Sequence, residues 1–142
     1  MIALDAYALV AFLADEPARG EVEGLLRESC VVTTVNLAES LDIVGRVHGI
    51  DEDELRHLVD PLIGDVLTVD TPPEDDAWSA AAIRRRHYDR ATRELSLADC
   101  FLVAAALRLE SAVATADPAV ASTARDESLE VISLPDTSGR RP

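Results

Sequence analysis

A chain of 142 residues with a hydrophobic fraction of 48% can bury one sizeable core, which excludes global disorder and leaves no length for a second domain. The formal net charge of −14 repels phosphates and anionic surfaces on average, so a nucleic-acid role requires local basic groups or bound cations. Cys30 and Cys100 are the only cysteines, too few and too far apart for a zinc motif.

The opening residues MIALDAY carry no basic segment ahead of an apolar run, and the apolar stretches 6–14 and 101–107 fall short of the roughly 20 residues that span a bilayer. The expectation is a cytoplasmic protein with reduced thiols and no membrane segment.

In chain order, short apolar or β-branched runs predict strands at 2–4, 31–35, 66–69, 112–115 and 129–134. Helical apolar spacing predicts helices from near Ala6 and over 21–28, 36–49, 51–64, 76–91 and 97–110, with Pro61 ending or kinking the fourth. Turn signals fall at 15–17 and 71–73, and residues 135–142 form a polar tail expected to be mobile after a domain of 1–134. Alternating strands and helices imply the α/β class, with a parallel sheet covered on both faces.

Four acids occupy matching places. Asp5 follows the first strand, Glu39 lies one helical turn beyond the second, Asp99 lies in the first turn of the helix at 97–110, and Asp117 follows the fourth strand. Each has a local structural reading. Asn36 to Glu39 and Ser96 to Asp99 have capping-box spacing, Asp117 precedes Pro118 as an N-cap would, and Asp5 is placed to cap the helix after it.

Ligands of open parallel sheets bind beyond the carboxyl ends of the strands, so acids placed there can converge. Converging carboxylates repel unless a cation lies among them, and hard oxygen ligands suit Mg²⁺ or Mn²⁺. Such a site can activate water for attack on a phosphodiester.

With the acids located, the segments LDAYALVAFLADEP, VNLAESLDIVGRV, LSLADCFLVAAA and ATADPAVA resemble, in order and spacing, the PIN-domain family. The likeness is greatest to VapC-type toxins of bacterial toxin–antitoxin pairs. The resemblance implies a single-domain three-layer α/β/α sandwich, Mg²⁺-dependent endoribonuclease activity on RNA, a homodimer, and a cognate antitoxin whose basic segment enters the acidic groove.

By position, Asp5, Glu39, Asp99 and Asp117 would be the catalytic, metal-holding quartet, with Thr115 in the place of a supporting hydroxyl. Thr115 also reads simply as a β-branched residue ending a strand. One departure is plain: where the family carries Asp-x-Ser/Thr, this chain has Asp5-Ala6-Tyr7.

Arg84, Arg85 and Arg86 open the one dense basic segment and are candidate RNA contacts, or else a solvated helix face. His48, His57 and His87 have no metal or triad spacing, and Trp78, Tyr88, Phe12 and Phe101 read as packing residues. Asp42 is placed to pair with Arg46 at i,i+4.

Two other readings differ in class. One is a catalytically weak PIN-fold binding module acting through an antitoxin-like partner, suggested by Tyr7 and by the acidic balance of the chain. The other is a different metal-dependent phosphate enzyme on a doubly wound sheet, disfavoured for phosphatases with an aspartyl nucleophile because Tyr7 stands where a second aspartate is needed.

Overall fold

The computed structural model describes residues 1–142. Five short strands, β1 (Ile2–Leu4), β2 (Cys30–Thr33), β3 (Leu67–Asp70), β4 (Ala112–Thr115) and β5 (Val131–Ser133), form one parallel sheet in the order β3-β2-β1-β4-β5. Ile2 pairs with Cys30 on one side and Ala112 on the other, so β1 is central.

Consecutive residues of β1 and β2 are buried, as a sheet covered on both faces requires. Ile2, Leu4, Cys30 and Val32 enter one core with Leu9, Val22 and Leu26. Ala3, Val31 and Val113 enter the other with Ile83, Leu102, Val103 and Val120.

Seven helices complete the α/β/α sandwich: α1 (Ala6–Leu13), α2 (Arg19–Leu26), α3 (Thr34–His48), α4 (Glu52–Val59), α5 (Glu74–His87), α6 (Leu97–Arg108) and α7 (Pro118–Asp126). Five successive residues of α6, Leu102 to Ala106, are buried, which marks it as a core helix rather than an amphipathic surface one. The chain lays β1, β2 and β3 outward in one direction, then crosses to the far side of β1 for β4 and β5. That reversal opens a crevice beyond the carboxyl ends of β1 and β4.

Some boundaries depart from the sequence pattern for identifiable reasons. The helix expected from residue 36 begins at Thr34, because the Thr33 side chain already accepts the Asn36 N–H at 3.0 Å. The Asn36–Glu39 capping box is therefore not formed, and Asn36 is buried inside α3.

The helix expected to reach residue 91 stops at His87. There Tyr88 becomes extended, and Asp89 Oδ1 accepts the N–H groups of Ala91 and Thr92 in a competing turn. Helix α4 ends two residues before Pro61. The polar tail folds back, with Arg141 paired to Glu21 at 2.6 Å and the Ser133 hydroxyl donating to Pro142 O at 3.1 Å.

One ionic fork ties the edge of this fold together. The Arg108 guanidinium, at the end of α6, donates to Asp76 at the start of α5 at 2.9 Å and to Asp70 at the end of β3 at 2.6 Å. Asp76 is only 3% exposed, so removing its partner strands a buried charge. Arg108→Ala should lower the free energy of unfolding by about 3 kcal/mol in urea melts; a loss below about 0.5 kcal/mol, the size of a surface substitution, would show the fork to be dispensable.

Candidate active site

Asp5 stands at the N-cap position of α1, in extended conformation, yet makes no capping hydrogen bond. Its backbone N–H donates to Ala114 O at 3.1 Å, which holds it against β4. Its carboxylate, in a residue 4% exposed, accepts the Thr115 hydroxyl at 2.5 Å through Oδ2.

Thr115 Oγ1 in turn accepts the Asp117 N–H at 3.0 Å. One hydroxyl thus joins the acid after β1 to the acid after β4, which gives Thr115 a contact beyond strand propensity. Asp117 Oδ1 accepts the N–H of Ala119 at 2.6 Å and caps α7, with Pro118 at the first helical position.

Asp99 completes a capping box: its Oδ2 accepts the Ser96 N–H at 2.7 Å, while Ser96 Oγ accepts the Asp99 N–H at 3.0 Å. Glu39, half-buried on α3, is brought over by two contacts that spacing alone did not reveal. Asn36 Nδ2 donates to Ala98 O at 3.3 Å, docking α3 on the start of α6. The Ser40 hydroxyl lies 2.7 Å from Asn36 O and 3.2 Å from Ala6 O, docking α3 on α1.

Asp5, Glu39, Asp99 and Asp117 line one polar cleft of about 440 Å³. Tyr7, Glu16, His48 and Asp136 line it as well, and none of these was placed there by sequence spacing. Only the acid before Pro17 and the polar character of the tail hinted at such a wall. Glu16 Oε1 lies 3.4 Å from His48 Nε2, and Glu16 Oε2 is buried without a hydrogen-bond partner.

The Tyr7 hydroxyl donates to Pro135 O at 3.2 Å. Burial, then the charges of Glu16 and Asp136, push its phenol up to about 12.

The acids act on one another. Burial raises the Asp5 carboxyl to about 7; the Thr115 hydrogen bond opposes this, and the neighbouring Asp99 and Asp117 charges add to it. Asp99 is raised by burial and by Asp117, against the lowering effect of Ser96. Glu39 is raised by burial, then by Asp99 and Asp42. No group of three or more acidic, His or Cys side chains is placed at metal-holding geometry, so the carboxylates share a cleft without closing on a point.

The arginines divide. Arg84 donates to Leu95 O at 3.1 Å, stacks 4.6 Å from the Tyr88 ring, and lines a hollow that shares Asp99 and Asp117 with the cleft. Arg85 points outward, and Arg86 pairs with Glu127 at 2.6 Å. Asp42 pairs with Arg46 at 3.0 Å, and Cys100 is buried beside Asp99 with its thiol pushed up to about 11 by burial.

A carboxyl whose folded value lies above its unfolded one binds its proton more tightly in the native state. Stability contributed through Asp5 is therefore full below the ordinary value of 3.8 and is lost as pH rises through about 7. In EDTA, Asp5→Asn should unfold at higher urea than the parent in mildly alkaline buffer, by on the order of 2 kcal/mol, and this advantage should vanish in acid. Equal parent and variant stability at alkaline pH would contradict a strained, buried charge.

A family model of the PIN domain matches residues 2–126. No curated protein matches the sequence. Among solved structures, the chain is similar to VapC20 of Mycobacterium tuberculosis, described as a Sarcin-Ricin loop cleaving toxin, with TM-score 0.70 and 18% identity over 86% of this chain and 94% of that one. It is also similar to a toxin–antitoxin complex from Klebsiella pneumoniae, with TM-score 0.60 and 17% identity over 82% and 87% of the two chains. A third is FitAcB from Neisseria gonorrhoeae, with TM-score 0.61 and 22% identity over 93% and 96%. With the family model spanning most of its length and the acids gathered at the switch point of its sheet, the chain belongs to the PIN-domain family.

Proposed function

We propose that this protein is a metal-dependent endoribonuclease, the toxin of a cytoplasmic toxin–antitoxin pair, acting as a homodimer. The observation that carries the reading is the linkage of Asp5 through Thr115 to Asp117 beside Asp99, which concentrates negative charge where the sheet reverses. Similarity to VapC20 and to toxin–antitoxin complexes supports it.

The donor set fits Mg²⁺ or Mn²⁺ chemically. All four candidate ligands, Asp5, Glu39, Asp99 and Asp117, offer hard carboxylate oxygens, and the hydrogen bonds described occupy one oxygen each of Asp5, Asp99 and Asp117. A bound divalent cation would supply an acidified water and neutralise charge on the scissile phosphate.

The protein's own part is positional. Thr115 holds the Asp5 carboxylate, the capping box holds Asp99, and the cap of α7 holds Asp117, so that little reorganisation is left for the reaction. Arg84, fixed on Leu95 O beside Asp99 and Asp117, is the arginine placed to steady an RNA phosphate in an otherwise repelling cleft. The same acidity suits a basic segment of an antitoxin partner.

In a single-stranded RNA assay with Mg²⁺, Asp5→Asn and Asp99→Asn should each lower the cleavage rate by at least about 100-fold, with the fold retained by circular dichroism. EDTA should abolish cleavage of the parent. Undiminished cleavage in either case would remove this mechanism.

A second reading, a weakly catalytic binding module, draws on Tyr7, whose phenol stands in the cleft wall with its hydroxyl on Pro135. Tyr7→Ser distinguishes the two: an active parent with little change in rate favours the nuclease, and a gain of about 10-fold or more from a nearly inactive parent favours the binding module.

A further inference from the structure

Residues 135–141 lie beyond the stretch 2–126 that the PIN-domain model matches, yet they build part of the candidate active site. Leu134, fully buried, ends the core with its N–H on Thr115 O at 2.9 Å, and just after it Asp136 and Thr137 form part of the cleft wall. The function proposed above makes no use of this segment.

The segment is a closed loop. Asp136 N–H donates to Arg140 O at 2.7 Å, Asp136 Oδ1 accepts the N–H groups of Ser138 and Arg140, and Gly139 takes the left-handed conformation that the turn requires, with φ at 84°. Two ties hold the loop down. The Tyr7 hydroxyl donates to Pro135 O at 3.2 Å, and the Arg141 guanidinium reaches Glu21 on α2 at 2.6 Å.

This arrangement leaves a buried acid unsatisfied. Glu16 Oε2 has no hydrogen-bond partner, while the Tyr7 hydroxyl, which shares its cleft wall and feels its charge, is engaged by Pro135 O. A backbone carbonyl on a loop that lifts away can turn to water, whereas a buried carboxylate oxygen cannot. Lifting the loop therefore relieves the closed state, because Tyr7 is then free to donate to Glu16.

We propose that residues 135–141 are an autoinhibitory strap, closed over the cleft by Tyr7 and by the Arg141–Glu21 pair and displaced by entering RNA. Asp136 adds a sixth carboxylate to a cleft already lined by Asp5, Glu16, Glu39, Asp99 and Asp117, and both its oxygens are engaged inside the loop. It repels phosphate and offers the cleft no free ligand. The pair that fastens the far end is 47% exposed on both sides, a weak tie. A strap closed by weak contacts over an orphaned acid is built to give way.

Strap and RNA exclude each other, so the apparent dissociation constant for RNA is the intrinsic one divided by the open fraction, while the chemistry at the acids is untouched. The assignment rests on RNA as the substrate in the proposed function, and binding is measured apart from cleavage so that the two readings fail separately.

The experiment compares the full chain with Arg141→Glu, which breaks the pair, and with Glu21→Arg combined with Arg141→Glu, which restores it at the parent's net charge. Amide hydrogen exchange at Gly139 and Arg140 reports the strap, fluorescence anisotropy of a labelled single-stranded RNA with Ca²⁺ in place of Mg²⁺ reports binding, and cleavage in Mg²⁺ reports kcat and KM. Arg141→Glu should speed exchange by about 10-fold or more, tighten RNA binding and lower KM by about 5-fold or more, and leave kcat within about 2-fold. The exchanged pair should return all of these to the parent's values. Because Arg141→Glu adds negative charge, which by itself weakens RNA binding, tighter binding reports access.

Unchanged exchange in Arg141→Glu would overturn the strap, and so would faster exchange with RNA binding unchanged or weakened. Tighter binding without cleavage by either protein would leave the strap standing and overturn the nuclease. RNA bound by neither protein would overturn both.

Discussion

A carboxylate buried at the carboxyl end of a central strand needs a donor, and in this fold the donor is one threonine hydroxyl. Asp5 is only 4% exposed and caps no helix, so Thr115 is the side chain that makes its burial tolerable. The pairing of β1 with β4 exists on the same terms: Ala3 opposite Val113 and Leu4 opposite Ala114 bring the two strand ends level, and the acid and the hydroxyl meet just past them. A shift of either strand by one residue would turn the hydroxyl to the other face of the sheet.

The remaining acids reach the cleft by a different route. Asp99 and Asp117 are held by helix starts, where free backbone N–H groups favour an anion and fix one carboxylate oxygen. Capping and site-building are the same geometry seen from two sides: the oxygen that satisfies the backbone orients the oxygen that faces the cleft. Glu39 lacks such an anchor and is placed instead by the docking of α3 through Asn36 and Ser40.

Much of this was legible in the residues. The strands, the parallel class and the Ser96–Asp99 and Asp117–Pro118 caps follow from local patterns, because their partners lie within a few positions along the chain. What failed was governed by competition or by distance. Asn36 lost its capping role to Thr33, a hydroxyl three residues earlier, and α5 was cut short by the turn at Asp89. The cleft wall of Glu16, His48 and Asp136 is assembled from segments more than thirty residues apart, and no local signal announces it. Trp78, which is exposed, read as packing because helical spacing does not say which face a helix turns to the core.

The chain of bonds from Asp117 through Thr115 to Asp5 has a direction. A backbone N–H can only donate, so Thr115 Oγ1 receives it, and an ionised carboxylate can only accept, so the same hydroxyl sends its single hydrogen on to Asp5 Oδ2. The two oxygens of the ionised Asp5 carboxylate are therefore unequal: Oδ2 alone receives the hydroxyl hydrogen.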